Sequence, residues 1–241
     1  MLSTELAERL GLFEPLLDDL AAVFCPGASW PGETSGDPVF DAYQRCEVKR
    51  FQIGEACASD LDAVREHADQ IMHAIAHDHC PSGDRQLVEP LVRVLGARQV
   101  MERILDYLET GSAAERLGAA KAWYWAVPSA QYASMEDLRA DQEHRGPGEG
   151  AIRVSLNPMA ATPTTSNAEA AALRRDFEPR FRTGCLRAFI ASSRPGDRLY
   201  LSYRFSLDPS DYPPESQAEV EMAARIAAAD PEHYRHGDLT R

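Results

Sequence analysis

The sequence predicts an all-α chain, and three observations carry that expectation. Apolar residues recur at helical spacing over most of the 241 residues. The links between the central periodic segments are short. The stretch through alternating Leu199, Leu201, Tyr203 and Phe205 is ambiguous between strand and helix, and its neighbours in the chain argue helix. A hydrophobic content of 44% is enough to build a core and excludes whole-chain disorder.

Residues 4–24 read as one broken helix or two short ones, with Thr4 as a cap, Gly11 as a stop and Pro15 in a tolerated first turn. A Pro/Gly/Ser cluster at 26–38 precedes a helical stretch at 38–58. Residues 60–78 give the cleanest wheel, with Leu61, Val64, Ala68, Ile71, Met72 and Ile75 on one face and Ser59 or Asp60 as N-cap. Helices at 85–95, 98–109 and 113–126 follow, separated by Gly96 and Gly111, and short links predict antiparallel neighbours. Residues 145–167 lose the periodicity and read as a long loop. The helical signal returns near Asn167 and runs to about Ser192, with Pro179 expected to kink or divide it. The alternating stretch at 197–206 has no partner strand, so helix is the expectation there. Pro213-Pro214 opens a last helix to about 229.

Two stretches share an arrangement. Residues 56–76 read ACASDLDAVREHADQIMHAIA and residues 107–127 read YLETGSAAERLGAAKAWYWAV. Each passes from a helix end through a short polar turn to an arginine, Arg65 or Arg116, then through small residues into a hydrophobic helix. Residues 189–208 follow the frame through Arg198. The pattern resembles that of HEAT repeats, best over about 85–127. The resemblance implies a superhelix of stacked antiparallel helix pairs, in which one pair cannot bury its own apolar face. Asp60 and Arg65, and Gly111, Ser112 and Arg116, would take its turn and second-helix positions. It further implies one HEAT-like domain over 1–241, with a loop or insertion at about 145–167.

The charge narrows the function. Against 25 Lys+Arg stand 38 Asp+Glu, a net of −13, which argues against a nucleic-acid or anionic-membrane footprint. The start, MLSTELAERLG, is acidic and amphipathic and does not read as a secretory signal; no apolar run approaches the ~20 residues of a spanning helix. The expectation is a cytoplasmic protein with no membrane association. The five cysteines form no CxxC pair, so buried free thiols are expected rather than a disulfide framework. Basic residues are almost all Arg, with lysine only at Lys49 and Lys121, a bias that codon usage accounts for.

Three features could carry chemistry. The first is the polar run through His73, His77, His79 and Cys80. His73 and His77 are spaced i, i+4, which suits two ligands of one ion. The sequence is not HExxH, and a third ligand would have to come from elsewhere. A solvated polar face is therefore the favoured reading, and no metal or other cofactor is expected. The second is Trp123-Tyr124-Trp125. Consecutive helical residues point about 100° apart, so the three cannot share one core; packing between helices is the favoured reading, with a ligand or partner contact as the alternative. The third is charge segregation. Residues 174–204 hold eight Arg, including Arg182 and Arg187, against three acids; residues 208–232 hold seven acids and one Arg. The simplest account sets basic and acidic helices against each other or solvent. Walker, GxGxxG and GxSxG motifs are missing.

The function expected is that of a protein-binding α-solenoid, an adaptor, scaffold or inhibitor, whose acidic surface draws a partner with a basic face. The alternative is an enzyme or small-ligand binder on the same scaffold, with a groove lined by histidines, Trp123, Tyr124 and Trp125, and Arg116, Arg182 and Arg187. Among HEAT-like enzymes, DNA-alkylation glycosylases need a basic concave face, and diiron hydroxylases use His-Glu dipeptides, which this chain lacks. No catalytic residue is assigned.

Overall fold

A computed structural model describes residues 4–30, 32, 35–80, 83–132, 134–136, 139, 154–156, 167–231 and 233–234. Among the described residues the chain is all-α apart from a short two-stranded ladder. It divides into two units, 1–126 with 179–241, and 127–178.

In the first unit, α1 (Thr4–Phe24) runs unbroken through Gly11 and Pro15, where the sequence suggested a break. The reason lies in its apolar stripe. Leu10, Phe13, Leu17 and Leu20 stay in phase across Pro15, and all four are buried. Full burial contributes about 1.5–3 kcal/mol per such side chain, which outweighs the ~3 kcal/mol cost of an interior proline. The next helix, α2 (Pro38–Ser59), has Pro38 in its first turn. Its N-cap is Asp37, whose carboxylate accepts from the Val39 and Phe40 amides.

The wheel at 60–78 is two helices. Asp60 caps α3 (Leu61–Glu66), and the chain leaves helical geometry at His67 before α4 (Ala68–His77). Three helices follow as expected: α5 (Arg85–Leu95), α6 (Ala97–Thr110) and α7 (Ala113–Ala126). The alternating stretch is helical over α9 (Pro195–Ser202), and the last helix, α10 (Gln217–Ala229), is preceded by a 3-10 turn at Pro214–Ser216. The preceding helix, α8 (Asn167–Ala191), contains Pro179 without division.

Helix α1 packs along α2, and α6 along α7. Helix α4 lies against α1, α5 and α7, while α2 lies against α5. Apolar side chains such as Ile53, Ile71, Leu91 and Ile104 fill the space between them. The arrangement is one of mutually packed helices, compatible with a helical repeat.

In the second unit, β1 (Ala130–Tyr132) pairs in parallel with β2 (Val154–Leu156), in the register Ala130 to Val154 and Tyr132 to Leu156. Part of the stretch expected as loop thus forms a strand. The rest of 145–166 lies outside the described residues.

Candidate functional site

Two helices build the most chemically distinctive surface cluster. On α4, His73 and His77 lie one turn apart, with ring centroids 4.8 Å from each other. Across from them stands Glu115 in the first turn of α7. Its Oε1 is 3.8 Å from His73 Nδ1 and 3.8 Å from His77 Nε2. Those distances exceed hydrogen-bond reach, so three donor groups converge without bonding one another.

The carboxylate is held from behind. Ser112 and Glu115 form a capping box: the Ser112 amide donates to Glu115 Oε2 at 2.8 Å, and the Glu115 amide donates to Ser112 Oγ at 3.4 Å. One carboxylate oxygen is committed to the helix end while the other faces the histidines. Burial lowers the His77 pKa, with His73 adding to the effect, and its Nδ1 is buried without a hydrogen-bond partner. Backbone hydrogen bonds to Ser112 and the neighbouring histidines hold the Glu115 carboxyl below its usual value despite partial burial.

The approach of α4 and α7 depends on Gly118. A Cβ there would sit 2.0 Å from the Ala76 carbonyl oxygen. Gly118 lies one turn past Glu115, and Ala76 adjoins His77, so the same close crossing fixes the distance across the cluster.

The first unit also holds a buried ionic centre. Arg50 on α2 donates to both oxygens of Asp78, at 2.8 and 3.0 Å, to Gln86 Oε1 at 3.2 Å, and to Glu47. Arg50 and Asp78 are each about 1% exposed. Asp84 is fully buried beside them, and among the described residues no donor is bonded to either of its oxygens. Burial, and then Asp78, raises its pKa well above the ordinary carboxyl value. A proton on Asp84 reconciles the two acids, because the neutral carboxyl can donate to Asp78. Lys121 on α7 is 7% exposed, and its Nζ donates to the His79 carbonyl at 2.7 Å. Burial lowers its pKa, and Arg9 adds to that.

The residues singled out from the sequence do not form one site. His79 and Cys80 are not joined to His73 and His77. The His79 ring packs edge-on to Phe13 and Tyr43, and burial pushes its pKa down to about 4. Trp123 is buried and stacks on Phe181 at 4.4 Å. Tyr124 is 45% exposed; it meets half-buried Trp125 edge-on at 4.9 Å, with the Arg85 guanidinium 5.8 Å from the Trp125 ring. Arg116 turns back to the Glu109 carbonyl, and Arg182 is half-buried. Arg187 pairs with Glu219 at 2.9 Å.

That last pair answers the charge segregation. Arg180 binds Glu109, Arg187 binds Glu219 and Arg194 binds Glu8, so three arginines of the basic stretch are spent on acids of α6, α10 and α1. Arg9 and Asp197 make a further such pair with the signs reversed. The sequence reading missed Glu115, although the signal was present in Ser112-x-x-Glu115. It also missed the buried centre, which no local motif announces.

Comparison with protein-family models, with curated proteins and with solved structures finds no significant match.

Proposed function

We propose that the chain is a protein-binding helical scaffold with a HEAT-like arrangement of helix pairs, acting in the cytoplasm. The observation that carries the reading is the surface set Tyr124, Trp125 and Arg85. Tyr, Trp and Arg are the residue types that dominate binding energy at protein interfaces. Here a neighbouring ring or cation restrains each aromatic, which lowers the entropy lost on binding. The pairing of α1 with α2 and of α6 with α7 supports the HEAT-like part, and among the described residues no helix is long and apolar enough to cross a membrane.

The net charge of −13 selects a partner with a basic face, attracted over about a Debye length, ~8–10 Å at ordinary salt. The test is affinity capture by the immobilised full chain at low and high ionic strength, beside the Tyr124→Ala/Trp125→Ala variant. A specific protein whose yield falls with salt and is lost with the variant supports the reading. A yield indifferent to both sinks it.

A further inference from the structure

We propose that His73, His77 and Glu115 form a binding site for a divalent transition-metal ion of the zinc class, bridging α4 and α7. The site is independent of the scaffold reading, so either can fail alone.

The donor set comes first. Two imidazoles and one carboxylate suit zinc and its borderline neighbours, whereas calcium and magnesium prefer all-oxygen shells. The spacing comes second. All three donor atoms lie within 4.8 Å of one another, and both Glu–His separations are 3.8 Å. A tetrahedral ion with donors about 2.0–2.1 Å away sets those donors about 3.3–3.4 Å apart. Each Glu–His edge therefore has to close by only about 0.4 Å. The His–His edge can close by rotation of His73, whose side chain is 44% exposed.

Pre-orientation comes third. Ser112 fixes the far oxygen of Glu115, the kind of outer-shell hydrogen bond that aims a ligand and sharpens affinity. The near oxygen is left pointing at the histidines. The crossing at Gly118 fixes the two helices against each other, so the ligands start close to where the ion needs them.

Three protein ligands leave a fourth position for water or for a donor from another molecule. Ala74, Ile75 and Ala76 lie between the histidines, so no glutamate stands on this helix to act as a base toward bound water. Binding and bridging are what the ligand set supplies.

The test uses the full chain stripped with a chelator and titrated with zinc against a chromophoric competitor. One equivalent per chain is expected, together with a rise in thermal midpoint, because the ion binds the folded state preferentially. Cobalt in place of zinc should show the strong visible d–d absorption of a tetrahedral site. His73→Ala, with its side chain largely at the surface, and Glu115→Gln, which keeps a capping-box residue, should both retain the native circular dichroism. Each should weaken zinc by more than the roughly 10–100-fold that loss of an outer-shell partner costs. Stoichiometric binding that survives both substitutions overturns the proposal. So does the lack of a zinc-dependent signal in the unsubstituted chain.

Discussion

Replacing Arg50 with Met probes whether the ionic centre holds the first unit together. Arg50 makes four directed contacts, two to Asp78 and one each to Gln86 and Glu47. Its guanidinium also fills the space over Gly83, where an added Cβ would sit 2.0 Å from Arg50 Cζ. Met occupies part of that volume and supplies no donor. Asp78 would keep the Cys80 amide at 2.9 Å but lose the guanidinium that bonds both of its oxygens. Stranding one member of a buried pair costs about 3–5 kcal/mol. For a chain of this size each kcal/mol moves the midpoint by about 2–4 °C, so the variant should melt about 6–20 °C lower.

The matched control is Arg85→Met. Arg85 pairs with Glu89, both side chains being more than a third exposed, and lies 5.8 Å from the Trp125 ring, so a change of about 1 kcal/mol or less is expected. Thermal unfolding followed by circular dichroism compares the two directly. Adding Asp78→Asn to Arg50→Met should recover part of the loss, because the stranded charge is then gone. Equal small shifts for Arg50→Met and Arg85→Met would refute the reasoning, and so would a double variant that is worse by the sum of both single changes.

Three further outcomes are expected. Asp84→Asn should stabilise the chain at pH 7 relative to pH 4: with its folded pKa raised, Asp84 takes up a proton on folding, and stability falls as pH rises from near 3.8 through the folded value. Urea midpoints across that range check it, and a pH-independent difference between variant and parent would contradict it. Gly118→Ala should cost about 3 kcal/mol or more, at the upper end for overpacking, because the new Cβ meets the Ala76 backbone at 2.0 Å and not a flexible side-chain end; an unchanged midpoint would show that α4 and α7 are less closely seated. A thiol reagent applied to the native chain at neutral pH should modify at most Cys25 and Cys80, since Cys46, Cys57 and Cys185 are buried and desolvation pushes the first two to about 12; rapid labelling of all five, read by mass spectrometry, would contradict that.

Much of the helical skeleton was legible because local signals and burial agree. Asp60, Gly96 and Gly111 mark helix boundaries that the structure keeps. The disagreements arise where a tertiary term overrides a local one. Gly11 reads as a helix stop, yet the stripe from Leu10 to Leu20 keeps α1 whole. Residues 60–78 show one apolar face, but the chain breaks at His67, a position a wheel cannot see. Long-range ion pairs were legible only as totals. The basic stretch and the acidic ends were visible; that Arg187 meets Glu219 and Arg194 meets Glu8 was not. The two lysines carried more information than codon bias suggests. Both are buried, Lys49 against Glu14 and Asp18, and Lys121 at the His79 carbonyl. A compact ammonium on a flexible stem fits such positions better than a planar guanidinium.

The segment Glu109-Thr110-Gly111-Ser112-Ala113-Ala114-Glu115-Arg116 was read for its turn and its arginine, but its consequence lies in the glutamate. Ser112 caps α7 and thereby aims Glu115. Three residues on, Gly118 permits the approach to Ala76, which brings Glu115 opposite the histidine pair. From the sequence, His73 and His77 looked like one face of a solvated helix, because nothing local says that another helix covers it. Helix α7 does cover it, leaving the His77 side chain 12% exposed. A bare i, i+4 histidine pair is weak evidence for a metal site. The same pair facing a carboxylate that its own helix cap holds in place is stronger, because the entropy of aligning the third ligand is already spent in forming the helix. The close crossing at Gly118 is thus a packing requirement of the fold and the device that assembles the cluster, and Gly118→Ala should damage zinc affinity and stability together, whereas His73→Ala should damage affinity alone.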